Sequence, residues 1–207
     1  EALKVKTNNL TYTKNNETAE ADEAVEFERE NIRGRSFGAT VKIVDKIIDL
    51  LKDVEIEAFE SPGLAKSNVR YAKINSGSAS FDQTNNKIDL RDNVSINIES
   101  KARSTHNMQT TDVHAGRASV FLSGGDAKSS ELTRFELFDN VHIVFKESGA
   151  ALTTVDSGYA LYDKEADRFE LKNGVHIVTT ANDKPTDITA SEAIYEQSAG
   201  KLELTGA

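Results

Sequence analysis

The 207-residue sequence contains no cysteine. That excludes disulfides, thiolate metal sites and a cysteine nucleophile. Proline is nearly absent. Pro62 and Pro185 are the only two, and both are expected between structural units, where neither breaks a strand ladder. Long apolar runs are missing too, and no stretch approaches the roughly 20 apolar residues of a membrane-spanning helix. Positive charge is outnumbered: 25 Lys and Arg against 34 Asp and Glu leave a net charge of −9. Such a chain is a poor match to nucleic acid, where affinity rests on neutralising phosphates with Lys and Arg. No phosphate loop, GxSxG or HExxH pattern occurs. No initiator Met and no signal peptide open the sequence at Glu1, so a signal or anchoring segment upstream is expected.

What is present is a repeat. Two apolar residues at i and i+2 are followed by Val at i+6 and an apolar residue at i+8. Ile48 and Leu50 lead to Val54 and Ile56, and Ile88 and Leu90 to Val94 and Ile96. Phe135 and Leu137 lead to Val141 and Ile143, and Phe169 and Leu171 to Val175 and Ile177. A weaker copy runs from Ala19 and Ala21 to Val25 and Phe27, and a truncated one ends the chain at Leu202 and Leu204. The second apolar anchors, at 21, 50, 90, 137, 171 and 204, are spaced by 29, 40, 47, 34 and 33 residues. A solenoid with coils of fixed length does not vary this way. Hairpins with loops of different length do. Polar turn clusters precede the anchors, such as Lys14-Asn15-Asn16-Glu17, Gln83-Thr84-Asn85-Asn86, Ser123-Gly124-Gly125-Asp126 and Lys164-Glu165-Ala166-Asp167, which is hairpin chemistry.

Within each copy the apolar residues share parity, so in a strand they share a face. The residues between them are polar: Asp49, Glu55, Asp89, Ser95, Glu136, His142, Glu170 and His176. The expected fold is therefore all-β, an antiparallel set of repeated hairpins with one apolar and one wet face. At two strands per copy it has roughly 12 or more strands. Residues 1–207 are expected to form one elongated domain, with a possible junction of two sub-units near 99–117. Val44, Ile47, Ile48 and Leu51 also fit helical spacing, but the match of Ile48, Leu50, Val54 and Ile56 to the other copies favours a strand.

The stretch Tyr162-Asp163 followed by Phe169-x-Leu171-x-Asn173-Gly174-Val175-x-Ile177, with its equivalents around Val94 and Val141, resembles the OstA-like family of lipopolysaccharide-export proteins. Val25-Glu26-Phe27 and Gly34 to Ala39 look more like its LptC side than its LptA side. The resemblance implies a β-jellyroll of two antiparallel sheets in an open-edged V, in the periplasm, held at the inner membrane through a segment outside these residues. It implies a non-enzymatic scaffold that carries lipopolysaccharide acyl chains along its apolar interior. Its partners would be the lipid, LptA-like bridge proteins and the inner-membrane transporter complex. The stripe Val25, Phe27, Val54, Ile56, Val94, Ile96, Val141, Ile143, Val175 and Ile177 would then contact lipid, and the strand of Leu202 and Leu204 would dock a neighbour. The competing reading of the stripe is an ordinary core. A second functional reading is a parallel β-helix, extracellular, that binds or cleaves an acidic polysaccharide.

No cofactor or metal is expected. His142 and His176 occupy equivalent positions, but no spaced ligand motif accompanies them. Spacing suggests no nucleophile partner for His106 or His114. No carboxylate pair is marked out for glycoside cleavage. Lys101, Arg103, Arg117 and Lys128 form a loose basic group. They suit lipid phosphates at a groove mouth, with ordinary surface charge the simpler reading.

Overall fold

A computed structural model describes residues 4–29, 31–59, 69–101, 108–123, 132–147, 152–181, 184–196 and 199–206. They form β1 (Lys4–Thr7), β2 (Thr11–Thr13), β3 (Thr18–Arg29), β4 (Ile32–Lys42), β5 (Ile47–Phe59), β6 (Val69–Ser76), β7 (Ser78–Asp82) and β8 (Lys87–Lys101). The C-terminal half adds β9 (Met108–Leu122), β10 (Leu132–Glu147), β11 (Leu152–Asp163), β12 (Arg168–Ala181), β13 (Lys184–Glu196) and β14 (Lys201–Thr205). All fourteen join one sheet in nearly sequential order. Every pairing is antiparallel, for example β8 with β9 and β11 with β12. A parallel β-helix is thereby excluded.

The predicted turns at 14–17, 83–86 and 164–167 are turns. The cluster at 123–126 lies outside the described residues beyond Ser123. The segment 41–54 is not helical, but neither is it one strand. A turn at 43–46 separates β4 from β5. The sequence hid it because Ile43 and Val44, at its tip, are apolar. Pro62 lies outside the described residues. Pro185 falls inside β13, not between units, and pairs with Thr180. It sits one residue from the start of its strand, where the missing N–H costs least.

The sheet is bent along one line. On β8 the register passes from Arg91↔Arg117 to Val94↔Ala115, so Asp92 and Asn93 oppose the single residue Gly116. Asp139 and Asn140 oppose Gly158 in the same way, and Asn173 and Gly174 oppose Ser191. A two-against-one bulge bends its strand. All six bulge residues have positive φ, from 54° at Asn140 to 80° at Gly174, a region that Gly, Asn and Asp tolerate best. Gly158 is also crowded from its other side, where a Cβ would lie 2.7 Å from that of Asn173, in the bulge of β12. These are the residues that fill the i+2 to i+6 gap of the repeat. The equal parity of Leu90 and Val94 therefore spans a corner. On the partner strand parity breaks: Ala118 and Ala115 are both buried, three residues apart.

The bend brings two arms face to face. Their common core joins Ala79, Leu90, Ala118, Leu137 and Ala160 from one arm to Ile96, Val113, Ile143 and Val155 from the other.

Candidate functional site

The inner face is built from cross-strand rows. One runs Ala39, Leu50, Ala79, Leu90, Ala118, Leu137, Ala160, Leu171, Ala193 and Leu204, each opposite the next. Large and small residues alternate without a break, so neighbouring side chains interlock instead of colliding. Across the bend a second row alternates Val54, Ser76, Val94, Ala115, Val141, Ser157, Val175 and Ala190, with Ser76 opposite Val54 and Ala190 opposite Val175. At about 4.8 Å per strand, the first row is roughly 45 Å long. The sequence repeat lies on the bulky strands. The intervening Ala and Ser positions were missed because those strands lack the Leu-and-Val signature, although Ala118, Ala160 and Ala193 each sit two residues from an apolar neighbour.

Burial falls away from the bend. Leu90 and Val94 are 1% exposed. Farther out, Ile88 and Ile98, and Phe135 and Phe145, are only partly buried, and toward the C-terminal end of the rows Leu171 and Ile177 are partly buried as well. The proposed stripe thus divides. Val25, Val54, Val94, Val141 and Val175 lie closest to the bend and are buried, as are Ile96 and Ile143. Phe27, Ile56 and Ile177 are partly open. Partly open residues absent from the stripe, Ile74, Ile98 and Phe145, pack beside them.

The rows stay open at both ends. Tyr12 pairs with Ala19 in the row of Val41 and Ile48, and it is 54% exposed. At the other end Leu202 pairs with Tyr195 and is 43% exposed. The last strand, β14, covers only Glu192–Glu196 of β13. Among the described residues, β12 alone pairs with the remainder of β13, from Lys184 to Ser191, and its other edge has no partner strand.

The outer face is held by charge. Lys87 pairs with Asp89 at 2.8 Å, Arg134 with Glu136, Arg168 with Glu170, and Lys201 with Glu203. This basic residue two before the acid recurs on each bulky strand from β8 on. Asp49 and Asp89 also accept from Ser80 and Ser119 at 2.6 Å. This face is not uniformly wet: Glu170 is buried and Leu161 beside it is too. The ammonium of Lys172, 2.8 Å away, and then the charge of Arg168 hold the Glu170 carboxyl below the usual glutamate range, against the effect of burial.

The equivalent histidines are brought together through an intervening strand. His142 Nδ1 lies 2.6 Å from Asp156, His176 Nδ1 lies 4.0 Å from the other oxygen of Asp156, and His176 Nε2 lies 3.1 Å from Asp187. His114 is opposite His142 in register. Among the described residues no group of three or more His, Cys, Asp or Glu is arranged to hold a metal ion. His106, Arg103 and Lys128 lie outside the described residues. Lys101 is exposed at the end of β8. Arg117 is paired with Asp139 at 2.7 Å and lies over Phe138 on the outer face, away from any groove mouth. A concavity of ≈ 670 Å³ follows the bend between β3 and β8, but Arg35, Asp53, Glu55 and Asp92 line it alongside Phe37 and Val54. Its charge does not suit acyl chains.

No helix of the described residues is long and apolar enough to cross a membrane. Residues 114–203 match the family LptC, described as lipopolysaccharide-assembly, LptC-related. The match runs from His114 in β9 to Glu203 in β14. It takes in the copies around Val141 and Val175 but not the 25–39 stretch. No curated protein matches the chain. Across its C-terminal strands the chain is similar to LptC-related lipopolysaccharide-assembly proteins, which supports a role in lipopolysaccharide transport.

Proposed function

We propose, taking the LptC-like C-terminal strands as the premise, that this chain carries lipopolysaccharide acyl chains between its two arms and passes them to neighbours docked at its sheet edges. In this reading residues 1–207 act as one elongated unit, anchored at the inner membrane through a segment outside them. The observation that carries it is the row of apolar residues that runs out uncapped at both ends, with Tyr12 and Leu202 half exposed. A core that served only to hold the fold would be capped, since exposed apolar area contributes no burial energy. The valines of the stripe, Val25, Val54, Val94, Val141 and Val175, form the floor. Phe27, Ile56 and Ile177 form the walls that meet lipid, with Ile96 and Ile143 at their base. Unpaired edges usually invite aggregation; here they offer main-chain groups for strand addition, at β14 through Leu202 and Leu204.

Photo-crosslinkers test this in cells. At Ile143 and Ile177 they are expected to capture lipopolysaccharide, while one at outward Ser95 does not. At Leu202 and Leu204 they are expected to capture an LptA-like bridge protein. Absence of lipid adducts at Ile143 and Ile177, in a folded protein with export running, would reduce the stripe to a core.

A further inference from the structure

The two rims of the groove differ in chemistry. On the arm that carries Leu90, the inner row farthest from the bend includes Phe81, Ile88, Val120, Phe135, Tyr162 and Phe169, opposed in that order. It is wholly apolar or aromatic, and the rings of Tyr162 and Phe169 lie 4.6 Å apart. On the other arm the third inner row from the bend runs Ile98, Thr111, Phe145, Thr153, Thr179 and Thr186. Thr153 and Thr179 share a hydrogen bond of 3.0 Å. The first three threonines are partly open and Thr186 is exposed. Lys184, exposed, continues the same face two residues beyond Thr186.

The sheet does not itself require these hydroxyls. Valine has the same shape and an equal preference for strands, and Val113, Val155, Ile177 and Ile188 fill the inner positions one step nearer the bend on β9, β11, β12 and β13. A hydroxyl adds one donor and two acceptor sites. A sugar-phosphate group laid on the aromatic rim would leave its polar atoms unpaired, which is costly. On the threonine rim they find partners, and Lys184 supplies a cation for phosphate.

We propose that the groove orients its cargo: the sugar-phosphate portion of a glycolipid lies along Thr111, Thr153, Thr179 and Thr186, and its acyl chains lie against Phe135, Tyr162 and Phe169. This rests on the lipid-transport reading. The test uses the protein carrying Thr111→Val, Thr179→Val and Thr186→Val together, changes that keep side-chain shape. Two probes are titrated: a multiply acylated, phosphorylated disaccharide lipid and palmitate. The variant is expected to bind the glycolipid about tenfold more weakly, the equivalent of one or two net hydrogen bonds, and palmitate unchanged. Glycolipid affinity that is unchanged, or a loss shared equally by palmitate, overturns the orientation while leaving the groove as a lipid site. Wild-type protein that binds neither probe overturns the transport reading, and the orientation with it. Photo-crosslinkers give a second measurement. At Thr179 the adduct is expected on the disaccharide and at Phe169 on an acyl chain; the reverse assignment overturns the proposal.

Discussion

Side chains at the bend and in the floor carry the most concentrated demands on this fold. Leu137 is 1% exposed in the middle of the core. Leu137→Ala is expected to cost about 2–5 kcal/mol, by transfer and cavity terms together, read from urea unfolding. Gly174 sits at φ 80° with open space around its Cα, so a substitution there meets strain but no clash. Gly174→Ala is expected to destabilise by about 1–2 kcal/mol, and Asn140→Gly, at φ 54°, by much less or not at all. Equal losses at both positions would argue against a left-handed bulge. Glu170 supplies a pH dependence. Its carboxyl is held below the ordinary range by Lys172 and Arg168. Its contribution is therefore complete above the ordinary glutamate pKa, about 4.3, and is lost as pH falls through the lower folded value. Thermal melts from neutral pH down to about 3 are expected to show a shallower acid decline in Glu170→Gln than in the parent protein.

At the level of strands, the alternation of Leu with Ala sets the tolerance of each position. Ala118 lies between Leu90 and Leu137 and is 2% exposed. Ala118→Leu is expected to overpack the row by about 1–3 kcal/mol. Leu137→Ala in the same molecule should return part of that loss, because the two side chains share one volume. Denaturation of both single variants and the double variant measures the coupling, and simple additivity would contradict interlocking across the row. The ion pairs on the opposite face work differently. The pair of Lys201 and Glu203 is largely exposed, and such pairs contribute little. The repeated basic-x-acidic pattern is better read as keeping that face wet and the register fixed.

For the whole molecule, the bend turns one sheet into two arms. Residues that a flat sheet would leave on an exposed apolar face become a core near the corner and an open lining near the rims. The same geometry leaves strand edges at both ends. In the proposed function, the carriage of lipid and the docking of neighbours would be two consequences of one repeated unit, tested by crosslinkers at Ile177 and at Leu204 respectively.

The sequence by itself determined the all-β class, the antiparallel pairing and the Leu, Ile and Val share of the inner face. Residue identity alternates with period two, the turn clusters are chemically distinct, and a one-residue slip would flip every side chain to the other face. It also carried the LptC-side resemblance. Only the tertiary structure decided which inner residues are floor and which are wall. Val94 and Phe145 are equally apolar in sequence, and their burial differs because one lies at the corner and the other at a rim. The corner was written in Asp92-Asn93, Asp139-Asn140 and Asn173-Gly174, but a bulge and a strand interior give the same apolar parity on the bulky strand. The threonine rim was illegible for a similar reason. Thr111, Thr153, Thr179 and Thr186 lie on four different strands, far apart in the chain, and hydrogen-bond register alone makes them neighbours.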